Sequence, residues 1–377
     1  MSRNISSSRK RNDKTNPDLD EYPPPRRKSR AVKAGNVIIG GGFPVSIQSM
    51  TNTDTCDIPA TVNQIHQLEE AGCEIIRVAV PNEMAAACLG QIKKQISIPL
   101  VADIHFSHKL ALNAIKEGVD KIRINPGNIG DNRKVKEVAR AAAEAGIPLR
   151  IGVNSGSLPE KLSKKYSHSD PRAFVTAALD EIELLEKNNF KNIVISLKSS
   201  NIACTLAAHK ILAQQVDYPF HLGITEAGTE FAGSIKSAIG IGSLLATGIG
   251  DTIRVSLTAD PVREIVVAKQ ILKALNLKKD GIEVISCPTC GRCQIDLIDI
   301  ARSVEEKTRH IKTPLKVAVM GCVVNGPGEA RAADVGIAGG AGFGTLFAHG
   351  EILRKVPEKE LEQALLAEIS RLTGEDI

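Results

Sequence analysis

The segment PLVADIHFSHKLALNAIKEGVDKIRINPG, Pro99–Gly127, contains one complete strand–helix–strand repeat. An apolar run, Pro99–Ile104, leads into the polar pair Asp103 and His105, which alternate with Ile104. An amphipathic stretch, Leu110–Glu117, follows and ends at Gly118, a residue tolerant of the positive φ found where helices stop. A second apolar run, Lys121–Asn125, begins three residues later. Near-continuous apolar strands that alternate with helices belong to a parallel sheet covered on both faces.

The same unit recurs on both sides. Further apolar runs are Val45–Met50, Ile75–Val80, Leu149–Asn154, Asn192–Lys198, His221–Thr225 and Asp251–Thr258. Amphipathic segments between them include Ile58–Ala71, Lys134–Ala145, Asp170–Lys187 and Val262–Leu277. Eight such repeats between residues 34 and 280 predict an α/β chain folded as a (β/α)8 TIM barrel. A doubly wound open sheet is the alternative, although no GxGxxG follows the first strand. From residue 281 to residue 377 the pattern changes to that of a smaller α+β domain. Its elements are a strand at Ile282–Ser286, a helix at Gln294–Lys307, a strand at Leu315–Met320, a hairpin of Asp334–Ile337 with Phe343–Phe347, and a closing helix at Glu358–Leu372.

With 42% hydrophobic residues the chain has ample material for a core. No run approaches the length of a membrane span, and the N-terminus lacks the charged-then-apolar form of a secretory leader. Eight cysteines in 377 residues are too sparse for a disulfide scaffold, so a reducing cytoplasm is expected, with clustered cysteines serving metal or redox chemistry. The net charge of +5 is local: residues 1–33 carry ten Lys or Arg and four acids, which leaves the remainder at −1. This Ser/Arg/Pro-rich tail has no apolar periodicity and is expected to be disordered, so that deleting residues 2–30 leaves the fold unchanged. A transit peptide is opposed by the acids Asp13, Asp18, Asp20 and Glu21, and nucleic-acid binding by the lack of an aromatic platform.

Arginines stand inside apolar strands at Arg77, Arg123, Arg150 and Arg254, and Lys198 closes another. A buried cation normally has a carboxylate partner. Five are too many for the acids nearby, so they are expected to face a polyanion together, and arginine grips phosphate bidentately. Asp103, His105, Asn154, Glu226 and Ser256 fall at strand ends, the active-site face of a barrel. Glu226 is the best acid–base candidate, a carboxylate among cations.

The strongest local signal is Cys287-Pro-Thr-Cys290-Gly-Arg-Cys293, followed by Gly321-Cys322 and, seven positions after Cys322, Glu329. Cys322 comes 32 positions after Cys290, so the fold must bring it back. Spacing alone divides evenly between structural zinc and an iron–sulfur cluster with one exchangeable corner. Cys56, Cys73, Cys88 and Cys204 are scattered and read as small apolar side chains.

Taken together, Ser46–Asp54, Val101–His105, Arg123–Asn128, Arg150–Asn154, Ile224–Gly228, Cys287–Cys290 and Gly321–Ala330 closely resemble the bacterial 4-hydroxy-3-methylbut-2-en-1-yl diphosphate synthase family (IspG, formerly GcpE). The resemblance implies a TIM barrel joined to a [4Fe–4S] domain, of the two-domain type without the insert of plant and apicomplexan members. It implies two-electron reductive ring opening of 2-C-methyl-D-erythritol 2,4-cyclodiphosphate to the allylic diphosphate, with release of water, in the methylerythritol phosphate route to isoprenoids. Cluster ligands carry over to Cys287, Cys290, Cys322 and Glu329, the glutamate yielding its place to substrate, with Cys293 a spare thiol. Substrate contacts carry over to Arg77, Arg123, Arg150, Asn154, Lys198, Arg254 and Ser256, with Glu226 near the reacting centre. The resemblance also implies reduced flavodoxin or ferredoxin as donor, and a homodimer whose active site is shared between subunits. Two other readings share part of the pattern: a pterin-binding type of barrel enzyme with a structural zinc domain, and a metal-stabilised nucleic-acid binder using the basic tail.

Overall fold

The computed structural model describes residues 24–105, 107–124, 129, 132–154, 156, 158–167, 169–322 and 333–377. The chain divides into two compact units after Leu277, three residues before the expected boundary.

The first unit opens with an antiparallel hairpin, β1 (Val32–Ala34) and β2 (Val37–Ile39). Eight parallel strands follow: β3 (Ser46–Met50), β4 (Ile75–Ala79), β5 (Leu100–Ile104), β6 (Lys121–Ile124), β7 (Leu149–Asn154), β8 (Ile193–Lys198), β9 (His221–Leu222) and β10 (Thr252–Ile253). They pair in the order β8-β7-β6-β5-β4-β3-β10-β9. The amide of Ile195 donates to Pro219 O at 3.0 Å, and Ile195 bridges Phe220, so β8 meets β9 and the sheet closes into a barrel. That closure removes the open doubly wound alternative. The last two strands are shorter than their apolar runs, and Ile224–Gly228 and Arg254, which lie beyond them, line the mouth of the barrel.

Helices alternate with the strands: α1 (Ile58–Ala71), α2 (Glu83–Lys93), α3 (His108–Lys116), α4 (Asn132–Glu144), α5 (Glu160–Lys165), α6 (Pro171–Lys187), α7 (Ile202–Ala213), α8 (Glu230–Leu245) and α9 (Pro261–Ala274). Local chemistry sets their ends. Asp57, Asn82, Asp170, Asn201 and Asp260 accept from backbone amides as N-caps. Gly72 stops α1 at φ 101°. The apolar faces of these helices and the outer faces of the strands form one continuous core. Inside the barrel, Ile75, Val101 and Val194 pack on Val32, Ala34 and Ile39, so the hairpin plugs the N-terminal end.

The expected disorder of residues 1–33 requires correction over residues 24–33; residues 1–23 lie outside the described residues. Arg26 Nη2 donates to Asp251 Oδ1 at 2.9 Å. Arg27 Nη1 donates to Val216 O at 2.7 Å, and its guanidinium lies 4.2 Å over the Phe220 ring. Arg30 Nε reaches Asp217 Oδ1 at 2.6 Å, and its guanidinium lies 4.3 Å over the Tyr218 ring. The segment needs no apolar period, because it docks through guanidiniums on carbonyls, carboxylates and ring faces.

In the second unit β11 (Ile282–Ser286), β12 (Leu315–Met320), β13 (Val335–Gly340), β14 (Phe343–Ala348) and β15 (Glu351–Pro357) form one sheet in chain order, with α10 (Leu297–Lys307) and α11 (Leu361–Thr373) against it. The first two pairings are parallel and the last two antiparallel. Strand β15 was not expected: it is an exposed edge of mixed charge with no apolar alternation.

Candidate active site

The C-terminal ends of the barrel strands enclose a cavity of about 450 Å³. Arg77, Arg123, Arg150, Asn154, Lys198, Glu226, Arg254 and Ser256 all line it, as do Asp103 and His105. Strand geometry explains the convergence. Inward-facing residues recur at every second position, so Arg150, Gly152 and Asn154 of β7, or Ser196 and Lys198 of β8, enter one space. Glycine opens room where the cations need it. A side chain at position 223 would meet Lys198 Nζ at 2.7 Å.

The charges do not balance. Arg77, Arg123, Arg150 and Lys198 are each less than a tenth exposed. Asp103 accepts from Arg123 Nη1 at 3.1 Å, and Arg77 Nε and His105 Nε2 lie 3.6 Å and 3.4 Å from its carboxylate. Burial opposes the charge on Asp103, but Arg77, His105, Arg123 and Arg150 outweigh it and hold its carboxyl well below the usual range. Among the described residues lining the cavity, the other buried acid is Glu264 of α9, whose Oε2 lies 3.6 Å from Arg254 Nη2. Among the described residues, Arg150 has no partner for Nε or Nη1. Burial, opposed by Asp103 and reinforced by Arg254 and Arg123, lowers Arg77 to about 9. Burial and the neighbouring guanidiniums likewise push Arg150 and Lys198 well down. Among the described residues, five cations face two buried carboxylates, an excess that suits a multiply charged anion.

Glu226 sits at the rim, exposed, with φ at 53°. A non-glycine residue in the left-handed region carries a strain of about 1–3 kcal/mol. Sequence reasoning missed Met50 and Glu264. The Sδ of Met50 lies 3.1 Å from Arg77 Nε and 3.7 Å from Arg254 Nη1, wedging two guanidiniums apart. Glu264 also receives Ser49 Oγ at 3.2 Å and the Leu257 amide at 3.0 Å. Its only sequence signal is an acid in the first turn of the helix after strand eight.

In the second unit Cys287 follows β11 by one residue and Cys322 follows β12 by two. These strands are parallel neighbours with Ser286 opposite Val319, so both cysteines emerge at one sheet end. Gly321 gathers them. Its amide donates to Cys287 Sγ at 3.2 Å, its carbonyl accepts from the Gln294 amide at 2.9 Å, and a side chain there would meet Cys293 Sγ at 2.6 Å. Cys293 Sγ turns to the Ile295 carbonyl at 3.3 Å, Cys290 is exposed, and Cys322 is buried. Among the described residues, no three His, Cys, Asp or Glu side chains are placed to hold a metal ion. Glu329 lies outside the described residues, as do Asn125–Asn128 and the motif from Val323 to Ala330. Thiol-rich donors beside a backbone N–H aimed at sulfur fit an iron–sulfur cluster, which spreads its ligands over several irons.

A model of the GcpE TIM-barrel domain matches residues 29–269, and a model of the GcpE protein C-terminal domain matches residues 283–371. The chain belongs to the GcpE family. It is 59% identical over 351 residues to a protein of Caldanaerobacter subterraneus subsp. tengcongensis named 4-hydroxy-3-methylbut-2-en-1-yl diphosphate synthase (flavodoxin), covering 93% of this chain and 99% of that one. A protein of the same name from Geobacter sulfurreducens is 57% identical over 350 residues, with coverage of 93% and 99%. One from Clostridium perfringens is 59% identical over 341 residues, with coverage of 90% and 98%. Among solved structures, dihydropteroate synthase of Yersinia pestis superposes with a TM-score of 0.47 at 15% identity, covering 66% of this chain and 99% of that one. No helix among the described residues is long and apolar enough to cross a membrane.

Proposed function

We propose that this member of the GcpE family is a 4-hydroxy-3-methylbut-2-en-1-yl diphosphate synthase. It opens 2-C-methyl-D-erythritol 2,4-cyclodiphosphate and removes a hydroxyl group as water, using two electrons from reduced flavodoxin. The observation that carries the reading is the surplus of buried cations in the barrel mouth, which suits a diphosphate. The printed names of the relatives specify both the diphosphate product and the flavodoxin.

Arg77, Arg123, Arg150, Lys198 and Arg254 grip the diphosphate oxygens, and Asn154 and Ser256 add neutral hydrogen bonds. Asp103 and His105 hold Arg123 and Arg77 in place. The cyclic dianion takes up two electrons and one proton and leaves as the open trianion plus water. Glu226, at the rim, moves that proton at the substrate's hydroxyl oxygen. Cys287, Cys290, Cys322 and Glu329 would hold a [4Fe–4S] cluster, which supplies electrons one at a time when bound. The homodimer finds support in an apolar stripe on α8, a surface suited to a second copy. Phe231, Ile235 and Ile239 lie four residues apart and are 80%, 46% and 50% exposed. Arg26, Arg27 and Arg30 are spent on the barrel, which takes three cations of the basic tail away from a nucleic-acid reading.

The test is Arg123→Ala and Arg254→Ala in anaerobically prepared protein. Each lost charge-assisted contact is worth roughly 1.5–3 kcal/mol, so affinity for the cyclic diphosphate falls about tenfold or more while iron content and the visible spectrum stay unchanged. Wild-type kinetics in both variants would sink the reading.

A further inference from the structure

Deeper in the barrel lies a second polar layer that the proposed chemistry does not use. Lys121 stands on the inner face of β6, two residues before Arg123 and so roughly 7 Å further in. It is fully buried, and its amine donates to Gln48 Oε1 at 3.4 Å, a neutral partner. His221 of β9 is fully buried as well, and among the described residues neither ring nitrogen has a hydrogen-bond partner. Thr252 is the register partner of both His221 and Ser46, which sets three side chains in one row across β9, β10 and β3. The hydroxyls of Thr252 and Ser46, and Gln48 Nε2, are also without partners among the described residues. At the equivalent depth β4, β5 and β8 present Ile75, Val101 and Val194, which the hairpin covers. Part of this level is therefore sealed and apolar, and the rest is polar, with the Lys121–Gln48 contact beside several atoms that have no partner among the described residues.

Buried polar atoms left unpaired are costly, and native proteins satisfy such clusters with ordered water. The atoms here include donors and acceptors, as bridging water requires. We propose that Lys121, Gln48, His221 and Thr252 hold ordered water beneath the anion pocket, and that Lys121 is a positioning residue which orients Arg77 and Arg150 through it. The role rests on the reading of the pocket as a diphosphate site. Arg150, with Nε and Nη1 unpaired among the described residues, needs acceptors from below, and a water held at Lys121 and Gln48 provides one. Burial, then Arg150 and Arg77, push Lys121 well below its ordinary value. Arg77, Asp103, Arg123, Arg150, Lys198, His221, Arg254 and Glu264 face the barrel interior with it, and Asp103 and Glu264 are the buried carboxylates of that set. A diphosphate that offsets the guanidiniums lets Lys121 take up a proton.

The experiment is calorimetric titration of the anaerobically prepared full chain with inorganic diphosphate, in two buffers of different ionisation enthalpy. The expected result is proton uptake by the wild type. Lys121→Met should take up fewer protons and bind about tenfold more weakly, with an unchanged visible spectrum. Lys121→Gln, which keeps a hydrogen-bonding head, should recover most of the affinity but not the uptake. Unchanged affinity and uptake in Lys121→Met would overturn the positioning role alone. No binding by the wild type would overturn the anion pocket and the positioning role with it. Should Lys121→Met not fold, His221→Leu and Thr252→Val carry the same test: weaker binding supports the water layer, and unchanged binding overturns it.

Discussion

Arg123 and Asp103 are register partners across β6 and β5, and their side chains meet inside the barrel at 3.1 Å. Asp103 also faces Arg77 at 3.6 Å and His105 at 3.4 Å, so one carboxylate restrains three basic groups. Removing one partner of a buried ion pair costs roughly 3–5 kcal/mol, because the other charge stays behind. Asp103→Asn should therefore melt well below the wild type, and inorganic diphosphate should restore most of the loss by taking over as counter-charge. An equal loss with and without diphosphate would show that Asp103 serves packing alone.

The depressed cations give stability a pH dependence of definite sign. Arg77 falls to about 9, and Lys198 and Lys121 lie below their ordinary values. Between the folded and unfolded pKa of such a base the unfolded chain binds more protons, so stability rises with pH across that window. A bound anion favours the protonated forms and works the other way. The melting-temperature gain from diphosphate should thus shrink as pH rises toward and past 9. Thermal melts at constant ionic strength check this, and a gain independent of pH would refute it.

Glu226 combines an exposed carboxylate with a backbone in the left-handed region. Glu226→Gln should bind the cyclic diphosphate as before and lose most of its turnover, since an amide cannot exchange a proton. Glu226→Gly should lose turnover without loss of melting temperature, because glycine adopts this conformation freely. Normal turnover by the Gln variant would reduce Glu226 to an offset for nearby arginines.

Arg27 anchors the N-terminal segment through the Val216 carbonyl and the Phe220 ring. Its truncation, Arg27→Ala, should cost roughly 1–2 kcal/mol, whereas Lys28→Ala should be neutral. Chemical denaturation distinguishes the two, and equal stability of both variants would return the segment to a solvated tail.

Cys293 and Cys322 flank Gly321 but differ in setting. The Cys293 thiol lies against the Ile295 carbonyl, while Cys322 shares a sheet end with Cys287. Cys293→Ser should keep its iron and its visible spectrum, and Cys322→Ser should lose both. The reverse pattern in anaerobic iron analysis would reassign the third thiolate to Cys293.

The eight strands, the order of the two units, and the cations Arg77, Arg123, Arg150, Lys198 and Arg254 were all legible in the chain, because apolar periodicity and a charge inside an apolar run are local properties. Sequence also carried the family, through motifs such as Val101–His105 and Ile224–Gly228. Partnership was not legible. That Glu264 faces Arg254, that Met50 wedges Arg77 from Arg254, and that Thr252 lines up between Ser46 and His221 depend on the register of neighbouring strands and on the closure of the ring between β8 and β9. The docking of Arg26, Arg27 and Arg30 escaped notice for a related reason, since guanidiniums that bind carbonyls and ring faces leave no periodic trace in the chain. That Cys287 and Cys322, 35 positions apart, emerge at one end of the sheet is likewise a product of two strands lying parallel and adjacent, which no local pattern shows.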